Sequence, residues 1–293
     1  MGGMATVGQW MEGARPRTLP NAIAPVLVGA GAAAAIGHFV WWQSLLALVV
    51  SLALIIGVNF ANDYSDGIRG TDANRVGPLR LVGSGTVTPK LVRAVAFGCF
   101  GLACVAGAVL VIASGHWWLL LVGAACVAGA WFYTGGKKPY GYQGFGEIAV
   151  FLFFGLVGVL GTLYVQYGRF TLVGLGGAVG VGAFSAAVLV ANNLRDIPTD
   201  KETGKRTLAV LLGDPGTRRL YLGLVAVPLA MSIVLGISRP LTLFALISAV
   251  LLVIPVRRIT SGANGMALIP VLKDTGLAML LWSAITCGAL AIN

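Results

Sequence analysis

Nine continuous apolar runs limit what this chain can fold into. They lie at about residues 21–37, 43–61, 94–114, 117–135, 147–165, 171–194, 220–237, 241–256 and 271–292. A helix needs about 20 mainly apolar residues to cross a bilayer, and most of the runs approach that length. Because the runs are continuous rather than alternating, they do not fit the strands of a membrane barrel. The pattern predicts an all-α integral membrane protein, a single domain over residues 1–293 with nine transmembrane helices.

The small number of charged residues supports the same class. Only 10% of the residues are charged and 57% are hydrophobic, whereas soluble domains carry about 25% charged residues. Such a chain lacks enough polar surface to be a soluble globular domain. The four cysteines lie inside apolar runs and show neither metal-ligand nor disulfide spacing. The net charge of +10 could suggest a nucleic-acid partner, but the positions of the charges indicate none.

The Lys and Arg residues are distributed unevenly when the chain crosses the membrane at every run. Eighteen of the twenty fall on one side, and Arg169 and Arg239 fall on the other. An excess of Lys and Arg marks cytoplasmic loops. We therefore predict a multi-pass protein of the plasma membrane, with its amino terminus and active-site loops in the cytoplasm and its carboxyl terminus outside.

Two acidic motifs end two of the apolar runs on this same side. The second run leads into NDYSDGIRGTD and the sixth into NNLRDIPTD. In both motifs an Asn precedes an Asp by four residues, as Asn62 precedes Asp66 and Asn192 precedes Asp196. The motifs are four helices apart, so they face the same side of the membrane. This repeat predicts two similarly oriented four-helix halves with a ninth helix added.

The spacing within each motif favours a metal site. Asp63 and Asp66 are three residues apart, and Asp196 and Asp200 are four apart, so on a helix each pair shares a face. Facing carboxylates repel one another unless a cation lies between them. Oxygen ligands at this density suit Mg²⁺, which also binds phosphate. Helix capping alone would explain one Asp or Asn at each helix end, but not two matched clusters.

Cations and aromatic residues accompany the carboxylates. The cations on this side include Arg69, Arg80, Lys137, Arg195, Lys201, Lys205 and Arg206. A metal combined with Arg and Lys stabilises negative charge on phosphate groups, although each cation alone also fits ordinary membrane topology. The nearby aromatic residues, whose faces can shelter a carbocation, are Phe60, Tyr64, Tyr133, Tyr140, Tyr142 and Phe145. This combination predicts a substrate with an anionic head and an apolar tail.

These motifs resemble those of a known enzyme family. NDYSDGIRGTD and NNLRDIPTDKETGKRTLAVLLG are similar to the two Asp-rich motifs of UbiA-type membrane prenyltransferases, and YTGGK is similar to their Tyr-x-x-x-Lys element. ARPRTLPNAIAPVLVG, RVGPLRLVGSG, KPYGYQGFGEIAVFLFFGLVGVLGT and LIPVLKDTGLAML resemble the branch that prenylates 1,4-dihydroxy-2-naphthoate in menaquinone synthesis. The resemblance spans about residues 14–282.

The resemblance implies nine helices around a central cavity with cytoplasmic cap loops. It implies Mg²⁺, possibly as two ions, and two substrates, a polyprenyl diphosphate and 1,4-dihydroxy-2-naphthoate. The implied reaction transfers the prenyl group with loss of CO₂ and gives demethylmenaquinol. The family's first motif has its third Asp where this chain has Gly70, and Asp72 follows two residues later. Gly67 and Gly70 would permit the loop to fold back and bring Asp72 to the metal.

The motifs and the resemblance together give three sets of predicted site residues. The predicted metal ligands are Asn62, Asp63, Asp66, Asp72, Asn192, Asp196 and Asp200. The predicted substrate-binding residues are Arg17, Arg69, Arg80, Lys137, Tyr140, Arg195, Lys201 and Lys205. The predicted catalytic residues are Asp63, Tyr133 and Lys137. Neither the prenyl chain length nor the oligomeric state follows from the sequence.

Alternative functions fit parts of this pattern. The Asp motifs alone also suit prenyl transfer to 4-hydroxybenzoate, homogentisate or a glycerol phosphate ether. A CDP-alcohol phosphotransferase requires Asp-Gly-x-x-Ala-Arg, but Asp66 and Gly67 are followed by IRGT. A cation transporter would place its carboxylates near the middle of the membrane on broken helices, whereas these lie at helix ends.

Overall fold

The computed structural model describes residues 5–71 and 79–292. Every regular element in this part of the chain is helical. The helices are α1 (Val7–Ala14), α2 (Pro20–Ala34), α3 (Trp41–Arg69), α4 (Pro89–Ser114), α5 (Leu119–Phe132), α6 (Gly146–Tyr167), α7 (Leu172–Glu202), α8 (Leu208–Gly236), α9 (Pro240–Thr260) and α10 (Gly265–Ile292). Short 3₁₀ turns lie at Pro16–Thr18 and Tyr140–Gln143.

The helices agree with the apolar runs in the sequence. Seven of them, α3, α4 and α6 to α10, are long and apolar enough to cross a membrane. The first and fourth predicted runs correspond to the shorter apolar helices α2 and α5. Many large apolar side chains point outward, including Val105, Leu121 and Val250, as expected for a surface in contact with lipid. Helix α1 was not predicted from the sequence.

Two helices continue past their apolar runs and carry the acidic motifs. Helix α3 extends to Arg69 rather than ending near residue 61, and α7 extends to Glu202 rather than 194. An apolar run marks only the part of a helix that suits lipid. Because the backbone hydrogen bonds continue through the polar residues that follow, each helix ends later than its apolar run. Helix α3 ends where Gly70 adopts a left-handed conformation with φ of 72°. The motif side chains are therefore fixed on rigid final turns.

Helix α7 forms the centre of the bundle and positions the second motif. It packs against α2, α6, α8 and α10, while α3 packs mainly against α4. Phe184 of α7 and Trp282 of α10 are fully buried, and their ring centroids lie 6.1 Å apart. The Trp282 indole N–H donates to the Ser232 hydroxyl at 2.8 Å. Hydrogen bonds of this kind tie apolar helices together where there is no water to compete.

Helices α6 and α7 approach each other closely at Gly155. A Cβ atom at this position would lie 2.6 Å from the Gly182 Cα and 2.7 Å from the Ala178 carbonyl oxygen. Both are backbone atoms, so only movement of a whole helix would relieve the clash. Small residues at such crossings let membrane helices approach each other.

Gly155→Ala is therefore expected to lower stability, because overpacking a well-packed interface typically costs about 1–3 kcal/mol. The measurement is the thermal unfolding midpoint in detergent. Gly101→Ala in α4 is the matched control, because nothing lies within 4 Å of its added Cβ. Equal midpoints for the two variants would contradict the close helix contact.

Helix α6 is locally widened. Residues Phe151–Leu160 form a π-helical segment between two α-helical segments, Gly146–Val150 and Gly161–Tyr167. Pi-helical turns use i→i+5 hydrogen bonds and are often found at functional sites. Phe153, Phe154 and Val157 of this segment line the internal cavity described below.

Candidate active site

A cavity of about 590 Å³ lies between the helices. Its lining changes along α3 from Val50 and Leu54 to Asn62 and Asp66. Helix α7 shows the same change toward its carboxyl end, so the polar lining gathers where these two helices end. The cavity thus combines a long apolar part with one charged end.

Asp66 is the centre of the charged end. It is buried, and its carboxylate lies 3.6 Å from Arg80 Nη2 and 3.3 Å from Lys205 Nζ. The Tyr142 hydroxyl donates a hydrogen bond to it. Burial and the negative charge of Asp66 raise the pKa of Tyr142, so the phenol stays protonated and acts as a donor. One carboxylate therefore organises two cations from distant parts of the chain.

The second motif forms a compact network around Asp196. Arg195 donates to both carboxylate oxygens of Asp196, at 2.6 and 2.7 Å. Arg195 also donates to the Asn192 amide oxygen at 2.9 Å, and the Asn192 amide nitrogen lies 3.3 Å from Asp196 Oδ2. Asp200 lines the same cavity one turn later and accepts a hydrogen bond from Thr207 at 3.4 Å.

Asn62 and Asp63 are neighbours in sequence but make different contacts. The Asn62 amide oxygen accepts a hydrogen bond from the Thr134 hydroxyl at 2.8 Å, and both residues line the cavity. The Asp63 carboxylate accepts backbone N–H groups from Leu81 at 2.7 Å and Val82 at 3.1 Å. Of the two described carboxylates in the first motif, that of Asp66 belongs to a residue that lines the cavity and that of Asp63 does not. These contacts indicate that Asp63 holds the 79–87 segment in place, so its catalytic and metal-binding roles stay predictions.

The carboxylates of the described residues do not form a preassembled metal cage. Within residues 5–71 and 79–292, no three His, Cys, Asp or Glu side chains lie close enough together to hold one ion. The donor chemistry nevertheless fits a hard cation, because Asp66, Asp196 and Asp200 present buried carboxylates to one cavity. Magnesium commonly uses one or two protein carboxylates and completes its shell with phosphate oxygens and water. Asp72 lies outside the described residues.

A family sequence model and solved structures supply an independent comparison. A model of the UbiA prenyltransferase family matches residues 22–267, most of the chain. The chain belongs to the UbiA prenyltransferase family. A UbiA homolog from Archaeoglobus fulgidus bound to GPP and Mg²⁺ superposes with a TM-score of 0.69, covering 97% of this chain and 99% of that one. Its sequence identity is 14%, so this similarity shows the UbiA fold alone.

Two bacterial relatives are more similar in sequence. A 1,4-dihydroxy-2-naphthoate octaprenyltransferase from Mycobacterium tuberculosis (strain ATCC 25618 / H37Rv) is 58% identical over 290 residues, covering 99% of both chains. A protein of the same name from Escherichia coli (strain K12) is 36% identical over 281 residues, covering 93% of this chain and 91% of the relative. The chain is thus similar over nearly its whole length to UbiA-family enzymes that carry this name.

The predicted substrate-binding residues of this UbiA-family chain, and the predicted catalytic residue Tyr133, occupy different environments. Tyr133, Tyr140, Arg80 and Lys205 line the cavity. The guanidinium of Arg69 donates instead to the carbonyl oxygens of Thr134 and Gly136, and Arg195 is bound to Asp196. Lys137 and Lys201 are exposed, and Arg17 is half-buried. These last three are outside the described cavity wall, and their roles stay predictions.

The sequence analysis missed three residues that contact side chains of the two motifs. Thr134 and Thr207 were not predicted as site residues, and Tyr142 was predicted only as an aromatic neighbour. All three line the cavity. A Thr in a loop gives no signal that separates a site residue from a surface residue. Tyr142 offered a weak signal, because it follows Lys137 and Lys138 within a short polar segment.

Proposed function

We propose that this chain transfers a polyprenyl group from polyprenyl diphosphate to 1,4-dihydroxy-2-naphthoate. The observation that carries the proposal is the cavity itself, in which buried carboxylates and cations adjoin a long apolar wall. This arrangement suits a substrate with a diphosphate head and an isoprenoid tail. The full-length relatives named 1,4-dihydroxy-2-naphthoate octaprenyltransferase support the choice of acceptor.

Mg²⁺ is the proposed metal, by analogy with the Archaeoglobus fulgidus homolog. Asp66, Asp196 and Asp200 would hold it, with Asn62 and Asn192 as neutral oxygen ligands or as groups that orient the carboxylates. When bound, it supplies a Lewis acid for the leaving diphosphate. The number of ions is left open by this proposal, as is the participation of Asp72.

The residues of the chain itself perform binding, orientation and exclusion of water. Arg80 and Lys205 carry the positive charge that meets the diphosphate at the charged end of the cavity. As the allylic C–O bond breaks, its electron pair leaves with the diphosphate. Tyr133 and Tyr140 line the cavity, and the face of an aromatic ring there would stabilise the positive charge on the prenyl carbon. The apolar wall excludes the water that would otherwise trap that carbon.

Prenylation then replaces the carboxylate of the acceptor. The electron-rich ring carbon that bears the carboxylate bonds to the prenyl carbon. Loss of CO₂ returns an electron pair to the ring and restores its aromaticity, so the product is demethylmenaquinol. The reaction needs no oxidant or reductant. The electron pair of the broken C–O bond leaves with the diphosphate, and the pair of the broken bond to the carboxylate returns to the ring.

We propose that all nine apolar helices, α2 to α10, cross the membrane as a single domain. Under this arrangement the two motifs and the connecting cap loops face the cytoplasm, and the carboxyl terminus lies outside. The eighteen-to-two division of Lys and Arg supports this orientation. The plasma membrane is the proposed location.

The direct test is an acceptor comparison. Purified protein receives polyprenyl diphosphate and Mg²⁺ with 1,4-dihydroxy-2-naphthoate, 4-hydroxybenzoate or homogentisate, and mass spectrometry follows the lipid product. We expect a product that lacks the carboxylate, formed only from the naphthoate and abolished by EDTA. Product from 4-hydroxybenzoate or homogentisate alone would retain the prenyl transfer but overturn the acceptor. No product from any of the three, with protein that is folded, would overturn the proposed function and favour the transporter alternative.

A further inference from the structure

A second polar group lines the cavity beside the carboxylate motifs. It comprises Arg15, Thr18, Asn21 and Asn59, which all line the cavity. Asn59 precedes Asn62 by three residues on α3, and Asn62 precedes Asp66 by four. Because residues three, four and seven apart share a helix face, Asn59 lies on the same face of α3 as Asn62 and Asp66, about two turns before Asp66.

Two polar atoms of this group are buried without a hydrogen-bond partner in the structure, Arg15 Nη2 and Asn21 Oδ1. The Asn21 side chain is more than nine-tenths buried. Leaving a buried donor or acceptor unpaired costs free energy, more for a charged group. Because Arg15 and Asn21 both line the cavity, a ligand there that supplies an acceptor and a donor would satisfy both groups.

The surrounding contacts hold the Asn21 side chain and the Arg15 backbone in place. The Asn59 amide donates to the Thr18 hydroxyl and to the Ala14 carbonyl oxygen, both at 2.9 Å. The Thr18 hydroxyl lies 2.9 Å from the Arg15 carbonyl oxygen, and the Asn21 amide nitrogen donates to the Thr18 carbonyl oxygen at 3.2 Å. Arg15 Nη2 and Asn21 Oδ1 are therefore the two groups of this cluster that have no protein partner in the described part of the chain.

The backbone at Arg15 is also unusual. Its φ is 55°, and among the described residues it is the only non-glycine with a positive φ. A non-glycine residue in this region is destabilised by about 1–2 kcal/mol and is retained where the surroundings fix it. The turn directs the chain from α1 into Pro16–Thr18 and brings the Arg15 side chain to the cavity wall.

We propose that Arg15 and Asn21 form the acceptor subsite, in which Arg15 binds the carboxylate of the aromatic acceptor and Asn21 Oδ1 accepts a hydrogen bond from one of its hydroxyl groups. The proposal rests on the proposed function and names residues that none of the predicted sets contains. A hydroxynaphthoate carries both a carboxylate and a hydroxyl donor. A diphosphate at neutral pH offers mainly acceptor oxygens, which the Asn21 carbonyl oxygen would repel. The pair of unpaired groups therefore favours the acceptor over the prenyl diphosphate.

The test measures ligand binding separately from turnover. Isothermal titration of the purified protein with 1-hydroxy-2-naphthoate and with 1-naphthol compares ligands that differ only in the carboxylate. Arg15→Gln is expected to raise the Kd of the naphthoate by about 10- to 100-fold, as for loss of a charge-assisted hydrogen bond, and to leave that of the naphthol within about twofold. Arg15→Lys keeps the charge and is expected to recover part of the affinity. The KM for polyprenyl diphosphate is expected to stay within about threefold of the wild type.

Two further variants keep the test decisive. Asn21→Asp places a negative charge beside the carboxylate, so it is expected to weaken naphthoate binding by a similar factor without removing Arg15. Arg169→Gln, which changes an exposed arginine outside the cavity wall, is the matched control and is expected to bind like the wild type. Three results for Arg15→Gln would overturn the subsite. They are equal weakening of naphthoate and naphthol binding, unchanged naphthoate binding, or an effect confined to the KM for polyprenyl diphosphate. Because binding needs no turnover, inactivity of the wild type toward the naphthoate would refute the proposed function without deciding this one.

Discussion

Asp66→Asn is expected to lower kcat by about 1,000-fold or more, the upper range for loss of one group that stabilises transition-state charge. The substitution removes a proposed metal ligand and also the carboxylate that holds Arg80 and Lys205 at the cavity. Both effects act on the leaving diphosphate. The measurement is single-turnover prenyl transfer at saturating substrate over a range of Mg²⁺ concentrations.

The control for this experiment separates catalysis from folding. Asp214→Asn removes a carboxylate that pairs with Arg218 near the amino-terminal end of α8, so activity within about twofold of the wild type is expected for a partly exposed pair. Unfolding midpoints of both variants show whether the bundle persists. A folded Asp66→Asn enzyme with wild-type turnover would exclude the proposed metal site.

Asp196→Asn is expected to lower turnover by about 100-fold or more and to shift the Mg²⁺ dependence to higher concentration. In the structure Asp196 binds Arg195 through both oxygens and also contacts Asn192. The amide cannot reproduce that charge, so Arg195 would lose its anionic partner. Measurement of the initial rate against Mg²⁺ concentration distinguishes lost metal affinity from lost catalysis.

Asp196 offers a second comparison within its own network. Thr199→Ala removes a hydroxyl that donates to the Asp196 backbone carbonyl oxygen at 3.0 Å. The substitution leaves the Asp196 and Asp200 side chains unchanged. We expect its Mg²⁺ dependence to match the wild type. A shift of the same size in Thr199→Ala and Asp196→Asn would attribute the effect to the helix end rather than to the carboxylate.

Local pattern predicted the helices well, because each apolar run has one stable conformation in lipid. Each of the nine runs overlaps one of the described helices α2 to α10. The repeated Asn62–Asp66 and Asn192–Asp196 pairs lie near the carboxyl ends of α3 and α7, and all four residues line one cavity. Periodicity also predicted that Asp196 and Asp200 share a face, and both line the cavity.

Contacts between distant segments were not accessible from the sequence. Asp63 has the same residue type and motif as Asp66, yet it holds the backbone at Leu81 and Val82. A spacing of three residues leaves about 60° between two side chains on a helix, enough for them to meet different partners. The sequence predicted Arg17 rather than Arg15 as a binding residue, because only the fold shows that Arg15 reaches the cavity.

The π-helical segment of α6 gives the cavity a straight wall. The residues of α6 that line it recur every four positions, as Ala149, Phe153, Val157, Gly161 and Val165. In a regular α-helix four residues exceed one turn by about 40°, so a row of five would rotate by about 160° and leave the cavity. The wider i→i+5 turns absorb that excess. The same side of α6 thus faces the cavity along its length, so an extended isoprenoid chain can pack against it without bending.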